Sequence, residues 1–354
     1  MRLISHRRNI DEIDGKIIEL LNKRAKVTLE VRKIKKGLKK SVYTPHREKE
    51  VYERVLKNSK GPLSAESLKA IYREVMSGSL ALEKPLGIAY LGPEATFTHI
   101  AALKKFGRSL SYIECKSIGE VFTEVERGRA DYGVVPIENS TEGAVNYTLD
   151  MFINSTLKIC SEIYLPIEHN LLSKKASLKA IKKVCSHEQV FAQCRIWLEK
   201  NLPNVKLATY ASTTQAAVAA KSENKCAAIA SELAAKKYGL NVLARSIEDS
   251  SRNVTRFLVI GKELTEPSGG DKTSIVFSLK DKIGVLHDAL IPLKRNKINL
   301  TKIESRPSPQ KAWEYYFFVD MEGHYKDRKL QKALKQLEKS CVYFKILGSY
   351  PVGK

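Results

Sequence analysis

Two cations, Arg24 and Lys35, lie on the apolar face of one helical stripe, where only aliphatic side chains are expected. The stripe runs Ile10, Ile13, Ile17, Leu20, Arg24, Val27, Val31, Ile34 and Leu38. At about 100° per residue, Arg24 and Lys35 are separated by only about 20° around the axis, so both project from the same face. A cation in such a seam costs several kcal/mol unless an anion meets it. Arg7 lies roughly 25 Å from Arg24 along the axis, so it can join the same anion only from a second copy of the chain. Ser79 and Glu83, spaced i and i+4 at the end of another stripe, project together. Thr44-Pro45 reads as an N-cap followed by proline at the first helical position, with Arg47 and Glu48 in the first turn. Taken alone, these residues fit either an anion site or two long side chains snorkelling out of a coiled-coil seam.

A second set of polar residues sits at strand-to-helix turns. Thr96 or Thr98 follows Gly92-Pro93, Glu138 to Gly143 follows an apolar strand, and Ser212-Thr213-Thr214 forms a third polar turn. Backbone N–H groups and hydroxyls at such turns bind anions. A third set lies near the C-terminus: Gly284-Val285-Leu286 at a helix start, Asn299-Leu300, and Glu304-Ser305-Arg306-Pro307 at a strand end.

Three kinds of element must position these groups. Residues 1–84 read as three helices, the second opening at Thr44-Pro45 and the third capped by Ser64 after Gly61-Pro62. Leu68, Ile71, Tyr72, Val75, Ser79 and Leu82 lie on the buried side of that third helix. Three helices, one of them very long, cannot fill a compact core alone, and an intertwined dimer buries them. Residues 85–265 alternate strands (Leu86 to Leu91, Tyr132 to Ile137) with helices, and strand-then-helix units recur over Ile181–Ala192, Leu207–Ala220 and Ala227–Leu240. That grammar predicts parallel sheets in two lobes, with polar turns around a cleft. Pro267-Ser-Gly-Gly270 reads as a linker. Residues 271–354 follow in βαββαβ order, a ferredoxin-like α+β half-sheet with helices on one face.

The helical part resembles the all-helical chorismate mutase domain, through Arg7 in Arg-x-x-Ile-x-x-Ile-Asp, Arg24, Lys35, the Tyr43-Thr44-Pro45-His46-Arg47-Glu48 run, Ser79 and Glu83. The resemblance implies that the arginines and lysine bind the two carboxylates of chorismate, with Arg7 donated by the partner subunit. Thr44 stands where that family usually has aspartate, and Glu83 where members have glutamine or glutamate.

The middle part resembles prephenate dehydratase. The carrying motifs are Tyr90-Leu-Gly-Pro-Glu-Ala-Thr-Phe97, Pro136-Ile-Glu-Asn-Ser140, Ser186-His-Glu-Gln-Val-Phe-Ala-Gln193, Ser212-Thr-Thr214 and Asn253-Val-Thr-Arg-Phe257. The resemblance implies two α/β lobes like a periplasmic binding protein. It places Asn139, Ser186, Gln193 and Thr255 at the catalytic positions, with Thr96, Ser140, Ser212, Thr213, Arg256 and Phe257 binding substrate. Arg256 is the expected carboxylate partner because its fork binds carboxylates bidentately. Ala95 replaces a glycine common in this motif, at about 1 kcal/mol if the position needs positive φ. His187 is read as structural. The C-terminal part looks like the ACT regulatory domain of the same enzymes. It implies phenylalanine binding at a domain dimer interface through Gly284, Val285, Leu286, Glu304, Ser305, Arg306 and Pro307, with Asn299 and Leu300 as further contacts.

The implied chemistry asks little of the protein. Chorismate to prephenate is a unimolecular pericyclic rearrangement, so the site holds a compact conformer and stabilises charge on the ether oxygen through Lys35 and protonated Glu83. An ionised Glu83 would repel that oxygen, so activity should fall as pH rises through its titration and flatten in Glu83→Gln. Prephenate to phenylpyruvate is driven by aromatisation, with Thr255 helping hydroxide leave.

No cofactor or metal is expected, since the six cysteines show no metal-ligand spacing and there is no nucleotide loop. The net charge of +22 is spread among acids along helices, which suits steering of dianionic substrates and argues against nucleic acid. No run of 18 apolar residues suggests a membrane span, and a cytoplasmic homodimer or homotetramer is expected. Two competing readings remain: a dehydratase whose helical part is mainly a dimerisation module, separable by a chorismate assay, and a non-catalytic amino-acid sensor, which would not need the whole set Asn139, Ser186, Gln193, Thr255 and Arg256.

Overall fold

The structure, a computed structural model, describes residues 2–38, 41–250, 252–308 and 314–353; the expected domain limits at residues 1 and 354 lie outside them. Helix α1 (Arg2–Gly37) is 36 residues long, about 54 Å, and begins eight residues before the first stripe position. It packs on α3 (Ala65–Glu83), as does α2 (Pro45–Asn58). Ser64 caps α3 by accepting from the Ser67 N–H at 3.1 Å. Thr44 occupies the cap position of α2 with Pro45 following, but its side chain makes no capping bond. No residue of α1 is buried within one chain. Ile10, Ile13, Ile17, Leu20 and Val27 are each about half exposed, as is Ile71 on α3.

The middle of the chain forms two sheets. The first takes β1 (Gly87–Leu91), α4 (Phe97–Phe106), β2 (Ser111–Cys115), α5 (Ile118–Glu126), β3 (Tyr132–Asn139), the short β4 (Gly143–Ala144), α6 (Asn146–Asn154) and β5 (Lys158–Pro166). The chain then crosses to β6 (Asn170–Ser173), β7 (Lys183–Ser186), α7 (Glu188–Gln193), α8 (Arg195–Asn201), β8 (Lys206–Thr209), α9 (Thr213–Ser222), β9 (Cys226–Ala230), α10 (Glu232–Tyr238) and β10 (Asn241–Ala244), and returns as β11 (Val254–Gly261). The strand orders are β2-β1-β3-β11-β5 and β10-β6-β9-β7-β8.

The sheets are mixed, not parallel. The returning strand β11 inserts antiparallel between β3 and β5, because a chain coming back from the second sheet enters from the opposite end. The two crossings are bonded to each other: the Ile167 N–H donates to the Asn253 carbonyl and the Ile247 N–H to the His169 carbonyl. The expected polar loop after Ile137 is partly strand. β3 runs through Asn139, and β4 folds back on it.

The last part contains β12 (Asp271–Ser278), α11 (Val285–Arg295), β13 (Leu300–Pro307), β14 (Tyr315–Glu322), α12 (Arg328–Glu338) and β15 (Tyr343–Pro351), with antiparallel order β13-β14-β12-β15. One face carries both helices, with Leu330 and Leu334 of α12 packed over Ile275 and Phe277. The other face packs Val276, Phe318, Leu347 and Tyr350 against Ile137, Ile159 and Leu258 of the first sheet, making one shared core. β15 lies so close to β5 that a Cβ at Gly348 would overlap the Ile159 carbonyl. The 267–270 linker is tied down by Lys49 of α2, whose ammonium reaches Ser268 and Gly270.

Candidate functional site

Three separate clusters carry the residues singled out from sequence. In the helical part, α1 lays Arg24 and Lys35 over α3. Arg24 Nη1 donates to Ser79 Oγ, and Lys35 Nζ lies 3.2 Å from Glu83 Oε2 and 2.9 Å from the Val42 carbonyl. Arg24 and Lys35 bracket the pair Ser79 and Glu83 because eleven residues on one helix and four on the other each return to one face. These four, with Thr44, Arg47 and Glu48, line a cavity of about 840 Å³. Glu83 is buried, whereas Arg47 is largely exposed and pairs with Glu50 at 2.6 Å. Arg7 is exposed far along α1 and makes no hydrogen bond or ion pair among the described residues. The pocket therefore offers several cations facing an open space large enough for a small dianion.

In the α/β part, Asn139 at the end of β3 donates through Nδ2 to Thr255 Oγ1 and to Asn253 Oδ1, each at 2.8 Å. Its Oδ1 accepts from Thr141 and the Glu142 N–H, which fixes the amide orientation. Asn253 Nδ2 donates to Gln193 Oε1 at 3.0 Å, and Gln193 Nε2 donates to Glu142 at 2.7 Å. Gln193 Oε1 also lies 2.8 Å from His169 Nε2. Since that oxygen can only accept, His169 carries its proton on Nε2. Burial holds the His169 imidazole below its ordinary value of 6.5, with the Gln193 bond and Glu248 opposing the shift. His169 Nδ1 is buried without a partner among the described residues.

This web joins both halves and both crossings: Asn139 and Thr255 on the first sheet, Gln193 at the end of α7 beside the second, His169 and Asn253 on the crossings. Thr255 accepts from Asn139, and its own hydroxyl proton donates to no described group, which leaves it available to a ligand.

Other expected residues sit around or away from this web. Ser140 clamps β3 to the approach of β11, donating to the Arg252 carbonyl and accepting from the Val254 N–H. Thr96 caps α4 and Ser212 caps α9, each accepting from the third residue on. Thr213 is buried beside Ser212, and Thr214 Oγ1 is buried with no partner among the described residues. Ser186 is fully buried, with its hydroxyl donated to the Ile229 carbonyl at 2.9 Å. His187 caps α7, accepting from the Gln189 N–H. Ala95 adopts φ 72°, so the glycine it replaces has a conformational reason.

Arg256 and Phe257 depart from expectation. On β11, Arg256 alternates with Thr255 and points to the opposite face. There its guanidinium binds Glu162 at 2.8 Å, Asp320 at 2.6 Å and the Tyr350 hydroxyl at 3.0 Å. All three of its nitrogens are engaged on that face, by β5 and the C-terminal sheet, so it cannot hold a ligand in the cleft. Phe257 is 2% exposed, within the core that contains Phe106, Tyr132 and Val259.

Sequence reasoning passed over His169, Asn253 and Glu142. A signal existed for the first: Glu168-His169-Asn170 interrupts an apolar run between Leu165 and Leu172.

The third cluster lies on the C-terminal sheet. Gly284 takes φ 76° and opens α11, with Val285 and Leu286 half-buried and Ile283 99% exposed beside them. Glu304, Ser305, Arg306 and Pro307 end the edge strand β13, and Arg306 binds Asp150 of α6 through two nitrogens at 3.0 and 3.3 Å. Asn299 donates to Glu322, and Leu300 pairs with Met321. Ser278, which leads into Gly284, and Arg306 both pair with Tyr316, whereas Leu300 pairs at the other end of β14. Within one chain, Asn299 and Leu300 are therefore separated from the rest of the cluster.

Comparison with known proteins agrees with this three-part division. Residues 6–84 match the family model for chorismate mutase type II, 88–265 that for prephenate dehydratase and 273–339 that for the ACT domain. A bifunctional chorismate mutase/prephenate dehydratase of Aquifex aeolicus is 51% identical over 98% of this chain and 96% of its own length. One from Stutzerimonas stutzeri is 45% identical over 97% and 95%. Among solved structures, a prephenate dehydratase in complex with L-Phe from Arthrobacter aurescens superposes with a TM-score of 0.71 at 35% identity, covering 75% of this chain and 90% of that one.

Proposed function

In a chain that belongs to the bifunctional chorismate mutase/prephenate dehydratase family, and so converts chorismate to prephenate and prephenate to phenylpyruvate, we propose that the helical cavity performs the first step and the web around Thr255 the second. In the cavity, Arg24 and Lys35 take substrate carboxylates, with Arg7 reaching in from the partner subunit. Lys35 and Glu83, 3.2 Å apart, together address the ether oxygen whose charge grows as its bond breaks. The exposed apolar length of α1 supports an intertwined dimer, since twelve large aliphatic side chains would otherwise face water.

The observation that carries the dehydratase reading is the uncommitted hydroxyl of Thr255, oriented by Asn139. It donates a hydrogen bond to the ring hydroxyl as the C–O bond breaks and carbon dioxide departs, stabilising the hydroxide that leaves. With Arg256 committed elsewhere, the carboxylates go to the first-turn N–H groups of α4 and α9, at Thr96 and at Ser212-Thr213. The cleft between the two sheets is read as that of a periplasmic-binding-protein-like fold, and the strand order of the last domain as ferredoxin-like.

Phenylalanine is proposed to bind the ACT part where two copies meet at β13. A second chain pairing antiparallel there would bring its Asn299 and Leu300 to Gly284 and Glu304–Pro307. Coupling to the cleft would run through Arg256–Asp320 and Lys302–Glu138, because Glu138 and Arg256 are the immediate neighbours of Asn139 and Thr255. A cytoplasmic location fits this pathway chemistry. The test is to feed purified protein chorismate and follow prephenate and phenylpyruvate with and without L-phenylalanine. Both products, with the second suppressed by phenylalanine, are expected. Untouched chorismate alongside consumed prephenate would make the helical part a scaffold.

A further inference from the structure

The cavity in the helical part is not walled by helical-part residues alone. The last turn of α4, which belongs to the dehydratase region, contributes Lys105 and Phe106 to its lining. Lys105 Nζ lies 2.9 Å from Glu48 Oε2, and the Tyr43 hydroxyl donates to the same oxygen at 3.2 Å. Burial pushes the Tyr43 phenol well above its ordinary value, with Glu48 adding to the shift, so it remains a donor. The Tyr43 ring is itself fixed in the α/β core, 5.0 Å from Phe106 and 5.1 Å from Tyr132.

Glu48 poses an electrostatic problem in a site for a dianion. Chorismate brings two carboxylates, which the cations take, and a single hydroxyl, its only hydrogen-bond donor. A glutamate carboxylate is an acceptor, so that hydroxyl is what Glu48 can recognise. Without a counter-charge, Glu48 would repel the substrate it has to orient. We propose that Lys105, carried by the dehydratase region, is a positioning residue for the chorismate rearrangement, holding the Glu48 carboxylate in place and offsetting its charge. The mutase site is then completed across a domain boundary within one chain, as well as across the subunit boundary that Arg7 implies. This rests on assigning the helical cavity to the mutase step.

The test is steady-state kinetics on the full chain. Lys105→Met should raise KM for chorismate about tenfold, the size of one charge-assisted hydrogen bond, with a smaller change in kcat. Lys105→Arg should restore most of the loss. In a Glu48→Gln background, Lys105→Met should add less than about a twofold further change, because the two residues act as one unit. Turnover of added prephenate should stay at the parent level, which reports that the α/β part is folded. A parental kcat/KM for chorismate in Lys105→Met overturns the proposal, and so does an equal loss in the Glu48→Gln background. Arg24→Ala separates the two assignments: if it also leaves chorismate turnover intact, the cavity assignment fails; if it abolishes turnover while Lys105→Met does nothing, only the role of Lys105 fails.

Discussion

The helical cavity and the web around Thr255, proposed sites for dianions of similar size, are built from different materials. The cavity sets arginine and lysine side chains around open space, on a helix that has no buried residue in a single chain. The web is built mostly from amides, a hydroxyl and an imidazole, each holding the next, and every member comes from one chain. A pericyclic step needs a conformer held by its charges, which side-chain cations supply. Departure of hydroxide needs one donor at one place, which a fixed network supplies. On the proposed reading, the first site depends on a second subunit and the second does not.

The sharpest break of that comparison is to disable each site alone. Thr255→Ala should lower kcat for prephenate by about 10²–10³-fold, the loss typical of one transition-state donor, with little change in KM and no effect on chorismate turnover. An unchanged kcat with a raised KM would assign Thr255 to binding. Arg24→Ala should cost chorismate turnover about a hundredfold or more while prephenate turnover stays at the parent level.

Arg256→Ala probes stability in place of recognition. Removing it leaves Asp320 buried without its cation, at about 3–5 kcal/mol, while Glu162 keeps Lys272 at 2.9 Å. The expected outcome in a denaturation experiment is a lower unfolding midpoint, as the contact between the first sheet and the ACT sheet weakens. A raised KM for prephenate in a fully stable variant would return Arg256 to the cleft.

A smaller effect separates the sites by pH. The folded His169 is neutral and its value is depressed by burial, so its stabilising contribution is present above the ordinary imidazole value of 6.5 and is lost as pH falls through the depressed folded value. Prephenate turnover should fall over that acid range, because a protonated His169 is a buried cation beside Gln193. His169→Asn should flatten the limb. An acid limb unchanged in that variant would clear His169 of any part.

The smallest effect is expected at Ala95. Glycine there relieves about 1 kcal/mol at positive φ but removes a packed methyl worth about 0.8 kcal/mol. Ala95→Gly should shift unfolding free energy by less than about 0.5 kcal/mol. A larger change in either direction would mean one of those two terms is misjudged.

Local chemistry made much of this molecule legible in advance. The cap at Ser64, the proline start at Pro45 and the βαββαβ order of the last part follow from residues within a turn or two of each other, and the structure has all three. Thr255, Asn139 and Gln193, named from motif order, are brought into one web. What remained hidden is long-range. Nothing near Arg256 in sequence announces Glu162, Asp320 and Tyr350 as its partners, 94, 64 and 94 residues away. The antiparallel insertion of β11 depends on where the chain returns from, which periodicity does not encode. Lys105 reads as an ordinary exposed lysine on α4 until the helical part is docked against it.

The mutase site is proposed to need two chains and the dehydratase site one. Mixing Arg7→Ala and Arg24→Ala chains after joint unfolding and refolding tests this directly. Each variant alone should lack chorismate turnover. The mixture should recover about a quarter of parental activity, because half of the dimers are mixed and each of those holds one intact site. Prephenate turnover should remain at the parent level throughout. No recovery on mixing, or full chorismate turnover by Arg7→Ala alone, would contradict a mutase site shared between subunits.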